Sequence, residues 1–110
     1  MKIYSPYMKD IRFVGRSLDA LRGFPSDVKR EAGYQLDRVQ RGFEPTDWKP
    51  MPSIGSGVRE IRIMHEGQFR VLYVARFANA IHVLHAFQKK TQKTRKQDID
   101  TAKQALRQIL

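Results

Sequence analysis

Cysteine is absent from this sequence of 110 residues. Its absence excludes a disulfide framework, a cysteine-ligated zinc site and a thiol nucleophile together. A chain without disulfides also suits a reducing compartment. Apolar runs are short, and none approaches the roughly 18–20 residues that span a bilayer, so no membrane-spanning segment is expected. The opening Met1-Lys2-Ile3-Tyr4-Ser5-Pro6 lacks the apolar segment of a secretory signal, and the expected location is the cytoplasm. Repeats, low-complexity tracts and linkers are missing too. Residues 1–110 are therefore expected to form one domain, long enough to bury a core without metals or cross-links.

Acidic residues are scarce. Eleven Asp and Glu face 21 Lys and Arg, a net charge of +10. Such a field draws polyanions, nucleic acid first among them, with an anionic membrane or an acidic protein as the other candidates. Charge retained only for solubility is the weaker account at this magnitude. The sequence holds no His-Glu-x-x-His motif, carboxylate cluster, Gly-rich phosphate loop, nucleophile triad or pair of glycosidase carboxylates, so neither metal nor cofactor is expected.

The element pattern predicts an α+β domain. Residues 11–14 form a short strand ended by Gly15, and Ser17 is a candidate N-cap for a short helix carrying Leu18 and Leu21. The clearest helix runs from Pro25, at a first helical position, to Arg41, with Val28, Ala32, Leu36 and Val39 at helical spacing. Residues 43–57 read as a long connection because Pro45, Pro50 and Pro52 bar regular ladders; Trp48 either anchors this loop or stacks on a base. Three strands follow, Val58 to Met64, Phe69 to Phe77 and Ile81 to Phe87, with turns at Glu66-Gly67 and Asn79. A last helix is expected from about Gln97 to Leu110, with Ile99, Ala102, Leu106 and Leu110 near helical spacing. The expected architecture is thus a small antiparallel sheet with N-terminal helices and a C-terminal helix.

The sharpest local feature is the run from Lys89 to Lys96, which holds five cations (Lys89, Lys90, Lys93, Arg95, Lys96) and no acid. Such a run is a solvated linker on one reading and a phosphate cradle on the other. Arg62, Arg70 and Arg76 on neighbouring strands favour the cradle. Alternation places Arg70 and Arg76 on one face, where an arginine among apolar neighbours needs an anion: Glu60 within the chain, or an RNA phosphate. Lys49 is a further candidate phosphate contact. His82 and His85, three apart on a strand, are expected on opposite faces, so they do not jointly ligate a metal. His85 is either a satisfied core residue or a proton carrier beside a phosphate. RNA cleavage needs no metal, because the 2′-hydroxyl supplies the nucleophile. The protein then has to align that oxygen, stabilise charge on the phosphate and move two protons, work suited to arginine, lysine and histidine.

The segments Phe24-Pro25-x-x-Val28-Lys29-Arg30-Glu31-Ala32-Gly33-Tyr34-x-Leu36, Glu60-Ile61-Arg62, Phe69-Arg70-Val71-Leu72-Tyr73 and Val83-Leu84-His85-Ala86-Phe87-Gln88-Lys89-Lys90-Thr91 occur in this order. Together they resemble the phage-derived HigB-like branch of the RelE toxins, over nearly the whole chain from residue 11 onward. The resemblance implies a RelE-like (microbial-RNase-like) fold, ribosome-dependent cleavage of mRNA, and a tightly bound antitoxin, often with a helix-turn-helix domain. It also implies roles for residues. Arg70 matches the arginine that stabilises the cleaved phosphate, Arg62 the basic residue of the preceding strand, and Lys90 the cation after the last strand. His85 stands in for a C-terminal tyrosine, since no tyrosine follows Tyr73. Lys49, Arg76, Lys89, Lys93 and Arg95 are then candidate RNA contacts, and ribosome and mRNA the expected partners.

Overall fold

A computed structural model describes residues 8–110, so the reading of residues 1–6 as no signal segment lies outside the described residues. The elements in chain order are β1 (Asp10–Phe13), α1 (Ser17–Arg22), α2 (Ser26–Gln40), β2 (Trp48–Pro50), β3 (Val58–Met64), β4 (Gln68–Val74), β5 (Ala80–Lys89) and α3 (Lys96–Arg107). The strands form one sheet in the order β1-β5-β4-β3-β2. The expected α+β class holds, with N-terminal helices and a C-terminal helix against a sheet. The sheet is mixed: β3, β4 and β5 form the antiparallel meander, while β1 enters beside β5 in parallel.

Each face of the sheet has its own core. Leu21, Phe24, Val28, Ala32, Leu36 and Val39 of the N-terminal helices and the turn between them bury Ile61, Ile63, Phe69, Val71, Tyr73, Ile81 and Val83 on one face. Ala102, Ala105 and Leu106 of α3, with Met51 and Ile54, cover Val58, Leu72, Val74 and Leu84 on the other. Full burial of each Val, Leu or Ile stabilises by about 1.5–3 kcal/mol, so the alternation along β3 and β4 is what holds the layers together. Between the strands the turn uses Glu66 at φ 50° and Gly67 at φ 152°, a conformation that glycine adopts without steric cost.

Local details differ from the sequence expectations. Helix α2 begins one residue later, with Pro25 as its N-cap at ψ 151°. Ser17 is the first residue of α1 rather than its cap, and its hydroxyl donates to the Val83 carbonyl oxygen at 3.0 Å, tying α1 to β5. Helix α3 stops at Arg107, leaving Leu110 exposed and off the apolar stripe. The 43–57 connection contains a strand despite its prolines. Met51 N donates to Val58 O and Arg62 N to Asp47 O, so odd-numbered residues bond to β3. Pro50 faces the free edge, where its missing N–H costs no ladder bond. Trp48 is anchored there, half-buried, with the Arg59 guanidinium 4.1 Å over its ring.

The most consequential difference is in β5. Leu72 pairs with His85, yet Tyr73 pairs with Val83, which leaves Leu84 as an extra residue. This bulge breaks the two-residue alternation. Leu84 packs in the α3 core, and His85 opposite Leu72 also turns to the α3 side, where its ring meets Asp98. His82, paired with Val74 and packed edge-on against Phe77 at 5.1 Å, lies on that same side. The two histidines therefore share a face, contrary to the expectation from their spacing.

Candidate functional site

Four strands contribute charged side chains to the α3 side of the sheet. Lys49 of β2 pairs with Glu60, Glu60 with Leu72, and Leu72 with His85, forming one row across the sheet. The adjacent row runs Arg62, Arg70, Phe87, and the next pairs Gln68 with Lys89. Val58 and Leu72 fix this face as the α3 side, so Glu60, Arg62 and Arg70 project there by alternation. Diagonal neighbours in adjacent rows are roughly 7–8 Å apart. Arg70 is thus a close neighbour of both Glu60 and His85.

Two arginines directly opposite each other repel, and each is held by an acid. Arg62 donates from Nε (3.0 Å) and Nη2 (2.8 Å) to a single oxygen, Oδ1 of Asp47, in the residue preceding β2. Arg70 is 7% exposed; its Nη1 donates to Phe69 O at 2.9 Å, and its Nε lies 3.4 Å from Oε1 of Glu60. Glu60 is 0% exposed, and neither carboxylate oxygen accepts a hydrogen bond among the described residues. Its second cation, Lys49 Nζ, stands 3.9 Å away. Burial lowers the Arg70 pKa from its ordinary value; Glu60 opposes that shift, and Arg62 adds to it. An arginine stays protonated throughout the working pH range even so.

His85 is held from two sides. Its Nε2–H donates to Asp98 Oδ1 at 2.9 Å, and the Phe87 ring stacks on it with centroids 5.2 Å apart. With Nε2 occupied, Nδ1 is the nitrogen left for proton transfer. Asp98 also receives Arg95, whose Nε lies 3.4 Å from Oδ2. A carboxylate behind an imidazole fixes its orientation and stabilises the cation formed on protonation. Asp98 is the functional partner that the sequence reading missed. It falls four residues before Ala102 and eight before Leu106, which puts an acid on the buried stripe of α3, and that misplacement was the available signal.

The candidate residues do not all converge. Arg62, Arg70, His85, Lys49 and Lys89 share the α3 side of the sheet. Lys90 and Lys93 are exposed in the turn that follows β5, and Arg95 is the N-cap of α3. Arg76 stands apart, because β4 ends at Val74 and alternation no longer governs it. Its Nη1 donates to Ser56 O at 3.0 Å, and its guanidinium lies over Phe77, at the other end of the strand from Arg70. Among the described residues no group of three or more His, Asp or Glu side chains is placed to hold a metal ion, and no helix is long and apolar enough to cross a membrane.

A comparison with family models matches residues 19–107 to one described as phage derived protein Gp49-like (DUF891). No curated protein matches the sequence.

Proposed function

The chain belongs to the Gp49-like family of phage-derived proteins, a toxin–antitoxin-associated family, and from that membership we propose that it is the toxin of such a pair, a ribosome-dependent endoribonuclease of the RelE/HigB type. One observation carries the reading: the β5 bulge turns His85, backed by Asp98, onto the face that presents Arg62 and Arg70. A guanidinium pair for the phosphate and an oriented imidazole for the proton are the parts that metal-free cleavage needs.

In the proposed reaction the 2′-oxygen attacks phosphorus, the P–O5′ bond breaks, and the products are a 2′,3′-cyclic phosphate and a 5′-hydroxyl. Arg62, Arg70 and Lys90 balance the charge that develops on the phosphoryl oxygens. His85 carries a proton at Nδ1, and the 2′-hydroxyl proton and the one received by O5′ must both be relayed. Lys49, Lys89, Lys93 and Arg95 hold messenger or ribosomal phosphates; Lys90 and Lys93 are solvent-exposed and open to them. The proposed partners are the ribosome with its mRNA and a cognate antitoxin, in many such pairs a helix-turn-helix protein.

The test is induced expression with 5′-end mapping of cellular mRNA, comparing wild type with His85→Gln. Growth arrest with new cuts inside translated codons, lost in a folded variant, is the expected result. A second reading, a basic RNA-binding module without catalysis, is favoured by the fact that Arg62, Arg70 and His85 each already face an acid. Intact transcripts in cells holding soluble wild-type protein would transfer the conclusion to that reading.

A further inference from the structure

On the opposite face of the sheet, beside the C-terminal end of α2, lies a cleft of about 370 Å³. Three cations border it: Lys9, Arg59 and Arg76. Two are anchored by backbone carbonyls, with Lys9 Nζ donating to Ala75 O at 2.9 Å and Arg76 Nη1 to Ser56 O at 3.0 Å. A neutral carbonyl leaves their charge uncompensated. Among the described residues only Arg59 has a carboxylate nearby, that of Glu44 at 3.8 Å, which is too long for a hydrogen bond. Glu44 itself is 65% exposed on the loop after α2, so it is loosely held.

Beneath these charges sits Tyr73, 1% exposed; the Arg59 guanidinium is close enough to donate to its oxygen, but among the described residues no group in hydrogen-bond geometry accepts from its O–H. A buried phenol normally finds one. Burial pushes its pKa up, and the neighbouring Arg59 guanidinium opposes that shift. The hydroxyl is therefore a proton donor beside a guanidinium, with an acceptor lacking between them.

We propose that this cleft is a carboxylate pocket for an acidic segment of a protein partner. A glutamate or aspartate of that segment displaces Glu44, enters between Arg59 and Tyr73, and accepts hydrogen bonds from both. Lys9 and Arg76 supply the surrounding positive potential for further acids. One guanidinium and one hydroxyl suit the two oxygens of a carboxylate. Phe43, 60% exposed on the rim, offers apolar contact to a protein side chain, while the Arg38 guanidinium at 5.7 Å already covers its ring where a nucleobase would stack. Tyr73 and Arg70 project to opposite faces, so the pocket is independent of RNA cleavage on the other side and stands whether or not that activity exists.

The experiment is an NMR titration of the isotope-labelled full chain with three probes. These are a blocked hexapeptide holding two glutamates beside a leucine, its glutamine twin, and a six-residue oligouridylate. The glutamate peptide should shift the amides of Phe43, Glu44, Gly57, Arg59 and Ala75, and the glutamine twin should bind about 10-fold more weakly. Tyr73→Phe removes only a hydroxyl that donates to nothing among the described residues, so the fold should persist while affinity falls by about 5–10-fold. Arg59→Gln should lower affinity likewise. Glu44→Gln should tighten binding by roughly 2–5-fold, because the internal competitor is gone. Equal binding of the two peptides, unchanged affinity in Tyr73→Phe, or stronger shifts of these amides by oligouridylate would each overturn the proposal, the last by assigning the pocket to nucleic acid.

Discussion

Glu60 and Arg70 are buried against each other without a hydrogen bond between them: Arg70 Nε lies 3.4 Å from Glu60 Oε1, and both side chains are almost wholly out of solvent. A buried ion pair contributes little net stability, yet loss of one member leaves the other charge stranded. Arg70 is therefore a structural residue as well as a candidate catalytic one, and its variants have to be read with that in view.

Arg70→Ala should destabilise the fold by about 3–5 kcal/mol, a large share of the whole stability of a domain this size. The double variant Glu60→Gln/Arg70→Gln should recover most of that loss, because no buried charge is left alone. Urea unfolding of Glu60→Gln, Arg70→Gln and the double variant measures the coupling. If Arg70→Ala proves as stable as wild type, the pair is not buried in solution as described.

His85→Gln should lower cleavage by roughly 10²–10⁴-fold with little change in stability, as expected for loss of a proton carrier. Asp98→Asn should lower it less, because the ring keeps a partner but loses the charge that stabilises the imidazolium. Single-turnover cleavage on programmed ribosomes distinguishes them. Full activity in His85→Gln would return this histidine to a packing role.

The basic run should show itself in salt dependence. Each phosphate contact on single-stranded RNA contributes about −0.7 to the slope of log K against log salt. Alanine at Lys90 or Lys93 should reduce that slope by about one contact's worth each, equally for all RNA sequences. An unchanged slope would identify residues 90–95 as a solvated linker.

Stability should fall on mild acidification through His82. Burial, and then the charge of Arg12 on the neighbouring strand, lower its pKa below the ordinary value, and its buried Nδ1 has no partner among the described residues. The unfolded chain therefore takes up this proton first, and the fold loses stability as pH drops below about 6.5. Above that pH the imidazole is neutral in both states and contributes no pH dependence. Thermal unfolding of wild type and His82→Gln at pH 7.5 and 5.5 should show a smaller acid-induced drop in the variant. An equal drop in both would place the effect elsewhere.

Much of this fold is local in origin. The α2 stripe of Val28, Ala32, Leu36 and Val39 and the alternation along β3 and β4 arise from side-chain period alone, so reading them needs no partner strand. The turn at Glu66-Gly67 is similarly self-contained. Arg62 and Arg70 meet because a tight hairpin sets their register, which sequence spacing already implies. Strand β2 escaped detection because whether a proline breaks a ladder depends on which side of the strand is paired. Arg76 was misplaced because where β4 ends, and so how far alternation carries, is not legible in the run Val74-Ala75-Arg76-Phe77.

The sequence by itself determined the net charge, the absence of thiol and disulfide chemistry, the order of every element but β2, and the identity of the cations. Composition and short-range periodicity are properties of the chain alone. Only the tertiary structure decided which face His85 takes, that Asp98 stands behind it, that Glu60 is sealed beneath Arg70, and that the Tyr73 hydroxyl lies under Arg59 with no acceptor among the described residues. Those outcomes depend on one extra residue, Leu84, in the β5 register and on the docking of α3 and the post-α2 loop across the sheet. Pairings between distant segments follow from the packing of the whole molecule, not from the spacing of residues along the chain.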